Sequence, residues 1–94
     1  MIKHVVMFQF APEHKADLEL AKQKLEALVG KVPSLKHMEV GINFLPGDRA
    51  MDLVLIAQME DEAGLEAYQV HPAHQEIVAF IKPRAVLSKT VDFR

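Results

Sequence analysis

The chain has 94 residues, half of them hydrophobic, and a formal net charge of -2. Such a length allows a single domain over residues 1–94, and the apolar content exceeds what so small a monomer hides easily, so a partner surface is expected. The absence of cysteine excludes disulfide frameworks, thiolate metal sites and cysteine nucleophiles, and the mildly acidic, interspersed charge lacks the basic stripe of a nucleic-acid binder.

The first residues alternate in character and include Lys3 and His4, unlike the uninterrupted apolar stretch of a secretory signal. No apolar run approaches the ~20 residues needed to cross a bilayer, so a cytoplasmic protein without a membrane partner is expected. Residues 2–10 read as a strand with Ile2, His4, Val6, Phe8 and Phe10 on one face and Lys3, Val5, Met7 and Gln9 on the other. Ala11, Pro12 and Glu13 break it. Leu18, Ala21, Leu25, Leu28, Val29 and Val32 then recur at steps of three and four, the stripe of an amphipathic helix stopped by Gly30 and Pro33.

Residues 35–44 alternate again and place Met38, Val40, Ile42 and Phe44 together. A turn-rich connection through Pro46, Gly47 and Asp48 leads to residues 51–59, a nearly continuous apolar run expected to be a central strand buried on both faces. Asp61 is placed to cap a short helix carrying Leu65 and Tyr68, and Pro72 starts a second helix that runs to Lys82 and ends at Pro83. Residues 86–93 close the chain as a strand.

The order βαββαβ predicts an α+β, ferredoxin-like fold with a four-stranded antiparallel sheet and helices on one face. On the other face Val5, Met7, Val54 and Ile56 would leave an apolar surface in water. Packing of two copies sheet to sheet, as a homodimeric α/β barrel, is the expected solution.

The whole pattern resembles the stress-responsive α/β barrel family, often shortened to Dabb. The resemblance rests on the opening Ile2-Lys3-His4-Val5-Val6-Met7-Phe8, on Pro33, on Glu39-Val40-Gly41-Ile42-Asn43 and Asp52-Leu53-Val54-Leu55, and most specifically on Tyr68-Gln69-Val70-His71-Pro72-Ala73-His74, followed by Val91-Asp92-Phe93. It implies a ferredoxin-like fold that dimerises into a barrel. The family includes stress-induced plant proteins and a plant branch of polyketide cyclases that close a poly-β-keto chain by an aldol step. In that branch the tyrosine and second histidine of the motif serve the site, which implies Tyr68 and His74 here, with His4 near the same cavity. Where that branch has a histidine at the start of the third strand, this chain has Leu53.

Read from the residues, His74 shares its helical phase with Ile77, Val78 and Ile81, so its imidazole is expected to face the sheet. An imidazole titrating near neutrality beside a cavity suits a general base, and the Tyr68 hydroxyl suits a donor to a developing enolate. These two form the expected catalytic pair; His4, His71, Phe8 and Phe10 form the expected substrate-binding set. His71, just before Pro72, also stands where a side chain caps or orients its neighbours. His4 and Asp92 are expected to approach across neighbouring strands, which would fix the imidazole tautomer.

No metal is expected, because His71 and His74 lack a Glu-x-x-His companion. No cofactor is expected either, since no glycine-rich phosphate loop or flavin, haem or pyridoxal motif is present. The function these residues support is binding of a small hydrophobic or carbonyl-containing molecule, with cofactor-independent cyclase, isomerase or lyase chemistry. The alternatives are a non-catalytic stress-related dimer, whose histidines only complete the core, and a cofactor-free monooxygenase-like enzyme of the quinol-oxidising kind.

Overall fold

A computed structural model describes residues 1–94. Four strands, β1 (Ile2–Phe10), β2 (His37–Ile42), β3 (Leu53–Met59) and β4 (Ala85–Phe93), form one sheet in the order β2-β3-β1-β4. All three pairings are antiparallel. Three helices, α1 (Leu18–Glu26), α2 (Glu62–Val70) and α3 (Pro72–Ile81), complete the ferredoxin-like fold. None of them is long and apolar enough to cross a membrane.

The registers assign the two sheet faces. Phe8 pairs with Leu53 on one side and Ser88 on the other, so Ile2, His4, Val6 and Phe10 share an inner face with Leu55, Ala57 and Met59. Val40 and Met38 continue that face on β2. Side chains of α1, α2 and α3, among them Leu25, Tyr68, Ile77 and Ile81, close over it to form the core. Beyond Phe8 the ladder is prolonged by Asp52, whose amide N–H donates to the Phe8 carbonyl (2.8 Å) while its carboxylate accepts from the Phe10 amide (2.8 Å).

Local expectations are met at the caps. The Asp61 carboxylate accepts from the Gly64 amide at 2.8 Å and starts α2, and Pro72 opens α3. The first helix differs. Pro12–Asp17 is a short 3₁₀ helix, and α1 ends at Glu26, ten residues before β2 is approached by a chain that turns at Gly30 with φ of +92°. That turn takes Val29 off the apolar stripe to 45% exposure, while Val32 is still buried.

Two strand expectations are also corrected. β2 stops at Ile42, where its partner β3 begins at Leu53, so Phe44 leaves the sheet and is 92% exposed. β3 is central, yet within one chain it is buried on one face only: Leu53, Leu55, Ala57 and Met59 are covered, and Val54 and Ile56 are half-exposed. The outer face that carries them continues across Val5 and Met7 to Leu87, Val91 and Phe93. No helix covers it.

The inner face of β4 is polar, with Ser88, Thr90 and Asp92 opposite Phe8, Val6 and His4. α1 lies over β2, and α2 lies over β1 and β3, whereas β4 has no comparable helix packing. A groove therefore remains between α3 and the β1–β4 edge.

Candidate functional site

The break between α2 and α3 builds the site. His71, with φ of -63° and ψ of 136°, is extended as a residue before proline prefers, so α2 ends there and α3 begins with Pro72, which has no amide N–H to satisfy. His71 Nδ1 accepts from the Ala73 amide at 3.0 Å, a side-chain cap that places the ring proton on Nε2.

Helix ends leave carbonyls without intrahelical partners, and that of Gln69 is one of them. The Gln75 side-chain amide donates to it at 2.6 Å, and His74 Nδ1 lies 3.0 Å from it. Because a carbonyl only accepts, His74 must carry its proton on Nδ1, which leaves the Nε2 lone pair available as a base. Burial of the half-buried ring lowers its pKa below the ordinary histidine value; the Gln69 carbonyl opposes this and the nearby His4 adds to it. His74 is therefore held neutral at pH 7.

Tyr68 packs against His74 with ring centroids 4.3 Å apart at 45°. Its side chain is fully buried, and its hydroxyl has no hydrogen-bond partner. Burial pushes the phenol above its ordinary pKa and keeps it a proton donor. On its other side the His4 ring stands edge-on, with centroids 6.1 Å apart at 66°. His4 Nδ1 donates to the Asp92 carboxylate, its Cα partner on β4. The four side chains thus run in the order Asp92, His4, Tyr68, His74, from the sheet edge toward α3.

His74 opens onto a cavity of about 390 Å³, within the ~300–1,000 Å³ range of small-molecule sites. Nine of its twelve lining residues are hydrophobic, among them Phe8, Leu55, Ile77, Ile81 and Ala85; the polar ones are His74, Lys82 and Ser88.

Of the residues expected from sequence, His74 and Phe8 line this cavity, and Tyr68 and His4 lie behind His74. Phe10 does not reach it: at 1% exposure the ring is consumed by the hydrophobic core. His71 is likewise absent from the wall, its ring being held at the start of α3 as a cap. Lys82 and Ser88 were not anticipated, although signals existed. Lys82 follows Val78 by four residues on the His74 face, and Ser88 alternates with Thr90 and Asp92. Leu53 is packed into the core. No three His, Asp or Glu side chains converge as a metal-binding group.

Comparison with known proteins follows the same lines. The family model described as the stress responsive A/B barrel domain matches residues 2–94. No curated protein matches the sequence. Among solved structures, a dimeric ferredoxin-like protein of unknown function from Thermobifida fusca is 28% identical, covers 98% of this chain and 88% of its own, and superposes with a TM-score of 0.86. A dimeric protein of unknown function and ferredoxin-like fold from Bacteroides fragilis is 24% identical over 99% of this chain and 94% of its own, with a TM-score of 0.89. The hydroxynitrile lyase from Passiflora edulis shares the fold at 14% identity, with 98% and 90% of the two chains covered and a TM-score of 0.84.

Proposed function

The chain belongs to the stress responsive A/B barrel domain family, and on that footing we propose that it acts as a homodimeric barrel that binds a small apolar or carbonyl-containing molecule beside His74. The reaction proposed is cofactor-independent proton transfer next to a carbonyl, of lyase, isomerase or cyclase type. The observation that carries this reading is the state of His74: a neutral imidazole with its Nδ1 proton committed to Gln69 and its ring on the wall of an apolar cavity.

In the proposed step, His74 Nε2 takes a proton from the carbon next to the ligand carbonyl, and the electron pair moves onto the carbonyl oxygen. Tyr68, expected from the sequence as the donor, is buried behind the imidazole and outside the cavity wall, so it holds the His74 ring from the far side and does not touch the ligand. The imidazolium then returns its proton to carbon or to a leaving group. The Asp92–His4 pair stands behind Tyr68 and holds the ring stack in place. Dimeric relatives support the assembly.

The test is solvent deuterium exchange into β-dicarbonyl compounds, followed by proton NMR. The wild-type protein should accelerate exchange above buffer, and His74→Asn should lose roughly a hundredfold of that acceleration, the usual worth of a positioned base. Binding of the same compounds without exchange would establish a binding protein and overturn the catalytic part. Binding left unchanged by His74→Asn and His74→Phe would remove the site itself.

A further inference from the structure

The cavity wall carries one full charge. Its polar residues are His74, Lys82 and Ser88, and no Asp or Glu contributes to it. His74 is neutral, as derived above, so Lys82 is the one full charge among the residues of the wall.

Lys82 has no competing task. Lys15, Arg84 and Arg94 each pair with a carboxylate, whereas Lys82 is in no ion pair. It stands at the C-terminal end of α3, where a cation can serve the orphan carbonyls. Those carbonyls are taken by another residue: Arg84 donates from its guanidinium to the Phe80 carbonyl at 2.8 Å and from its amide to the Ile81 carbonyl at 2.9 Å. Lys82 closes α3 through its backbone, whose amide donates to the Val78 carbonyl at 2.8 Å, so its side chain is engaged neither in capping nor in an ion pair. Ser88, on the inner face of β4 opposite Phe8, supplies a hydroxyl to the same cavity.

We propose that the cavity selects an amphipathic anion, an apolar body ending in a carboxylate whose charge is read by Lys82 and Ser88. Resting on the functional reading above, this narrows the ligand to apolar carboxylic acids: the body lies along Phe8, Leu55 and Ile77, with its reacting carbon at His74 and its carboxylate at the mouth. The opposite preference has no support in the wall, because a cation there would meet Lys82 with no carboxylate to offset it.

Three probes with the same tail separate the charge from the cavity: octanoate, 1-octanol and octylammonium, titrated calorimetrically into the intact protein. Octanoate should bind about tenfold more tightly than octanol, the scale of one charge-assisted hydrogen bond, and octylammonium should bind more weakly than both. Lys82→Gln should bring octanoate down to octanol with octanol unchanged, and Lys82→Glu should reverse the order in favour of octylammonium. Equal affinity for octanoate and octanol, or an octanoate preference that survives Lys82→Gln, overturns the anion proposal and leaves the apolar site standing. Failure of all three probes to bind overturns the site as well.

Discussion

The Tyr68 and His74 rings lie 4.3 Å apart, yet the Tyr68 hydroxyl has no partner in the fold that buries it. A buried, unsatisfied polar group costs about 1–3 kcal/mol, so the fold bears that cost in keeping the hydroxyl. Tyr68→Phe should therefore raise the urea midpoint by the equivalent of about 1 kcal/mol at unchanged m, while proton exchange in a bound ketone persists, because the ring that backs His74 is kept. A loss of exchange in Tyr68→Phe would instead bring the hydroxyl into contact with the ligand. A variant that loses stability would show that the hydroxyl is hydrogen-bonded after all.

His74 gives a pH signature. Its folded pKa lies below the ordinary value because burial disfavours the imidazolium. Below about pH 6.5 the unfolded chain consequently binds more protons than the folded one, and stability falls as pH falls. Above that value the contribution is constant. Unfolding free energies measured from pH 7.5 down to 5 should decline less steeply in His74→Leu than in the wild type, and the difference should vanish above pH 7. Parallel curves would mean that His74 is not shielded from water. If the histidine only fills space, this variant should also retain every ligand affinity of the parent.

How far the sequence disclosed this arrangement depends on the range of the signal. Alternation in β1 put His4 on the core face correctly, and the three- and four-residue steps put His74 with Ile77 and Ile81. Those are local periodicities, and they survive folding because each element buries one stripe. The walls of the cavity are not local. Whether Phe8 or Phe10 reaches the cavity depends on the irregularity between Gln9 and Phe10, where the β1–β4 register shifts and the chain bends. Val29 and Phe44 were misplaced for a related reason, since a hydrophobic residue beyond an element's end keeps its period in sequence while the backbone has already turned. The absence of a helix over β4, which creates the groove, is a property of the assembled layers alone.

His71 should separate from the reacting residues by experiment. Its Nδ1 accepts from the Ala73 amide, so His71→Ala should cost about 1 kcal/mol of stability, the usual value of an N-cap. His71→Asn, which offers a side-chain oxygen to the same amide, should recover most of it. Neither change should weaken octanoate binding by more than about twofold, because the ring is not part of the cavity wall. Denaturant titration and calorimetry on the same two variants decide this. A large loss of binding in His71→Asn with stability restored would return His71 to the substrate-binding set.

The outer sheet face makes the strongest structural demand. Ile56 and Val91 are both Cα partners of Val5, so the three form one apolar row across β3, β1 and β4, with Glu39 beyond Ile56 on β2. A copy of the same face, related by a twofold axis, would remove this row from water in both chains at once. Replacing Ile56 by lysine enters a charge twice into that contact, and a buried unpaired charge costs several kcal/mol. Sedimentation velocity at micromolar protein should show the parent as a dimer and Ile56→Lys as a monomer with the dimer weakened at least a hundredfold. The inner face does not change, so the monomer should keep its helical circular dichroism. An Ile56→Lys protein that still sediments as a dimer would place the interface elsewhere and leave the row uncovered.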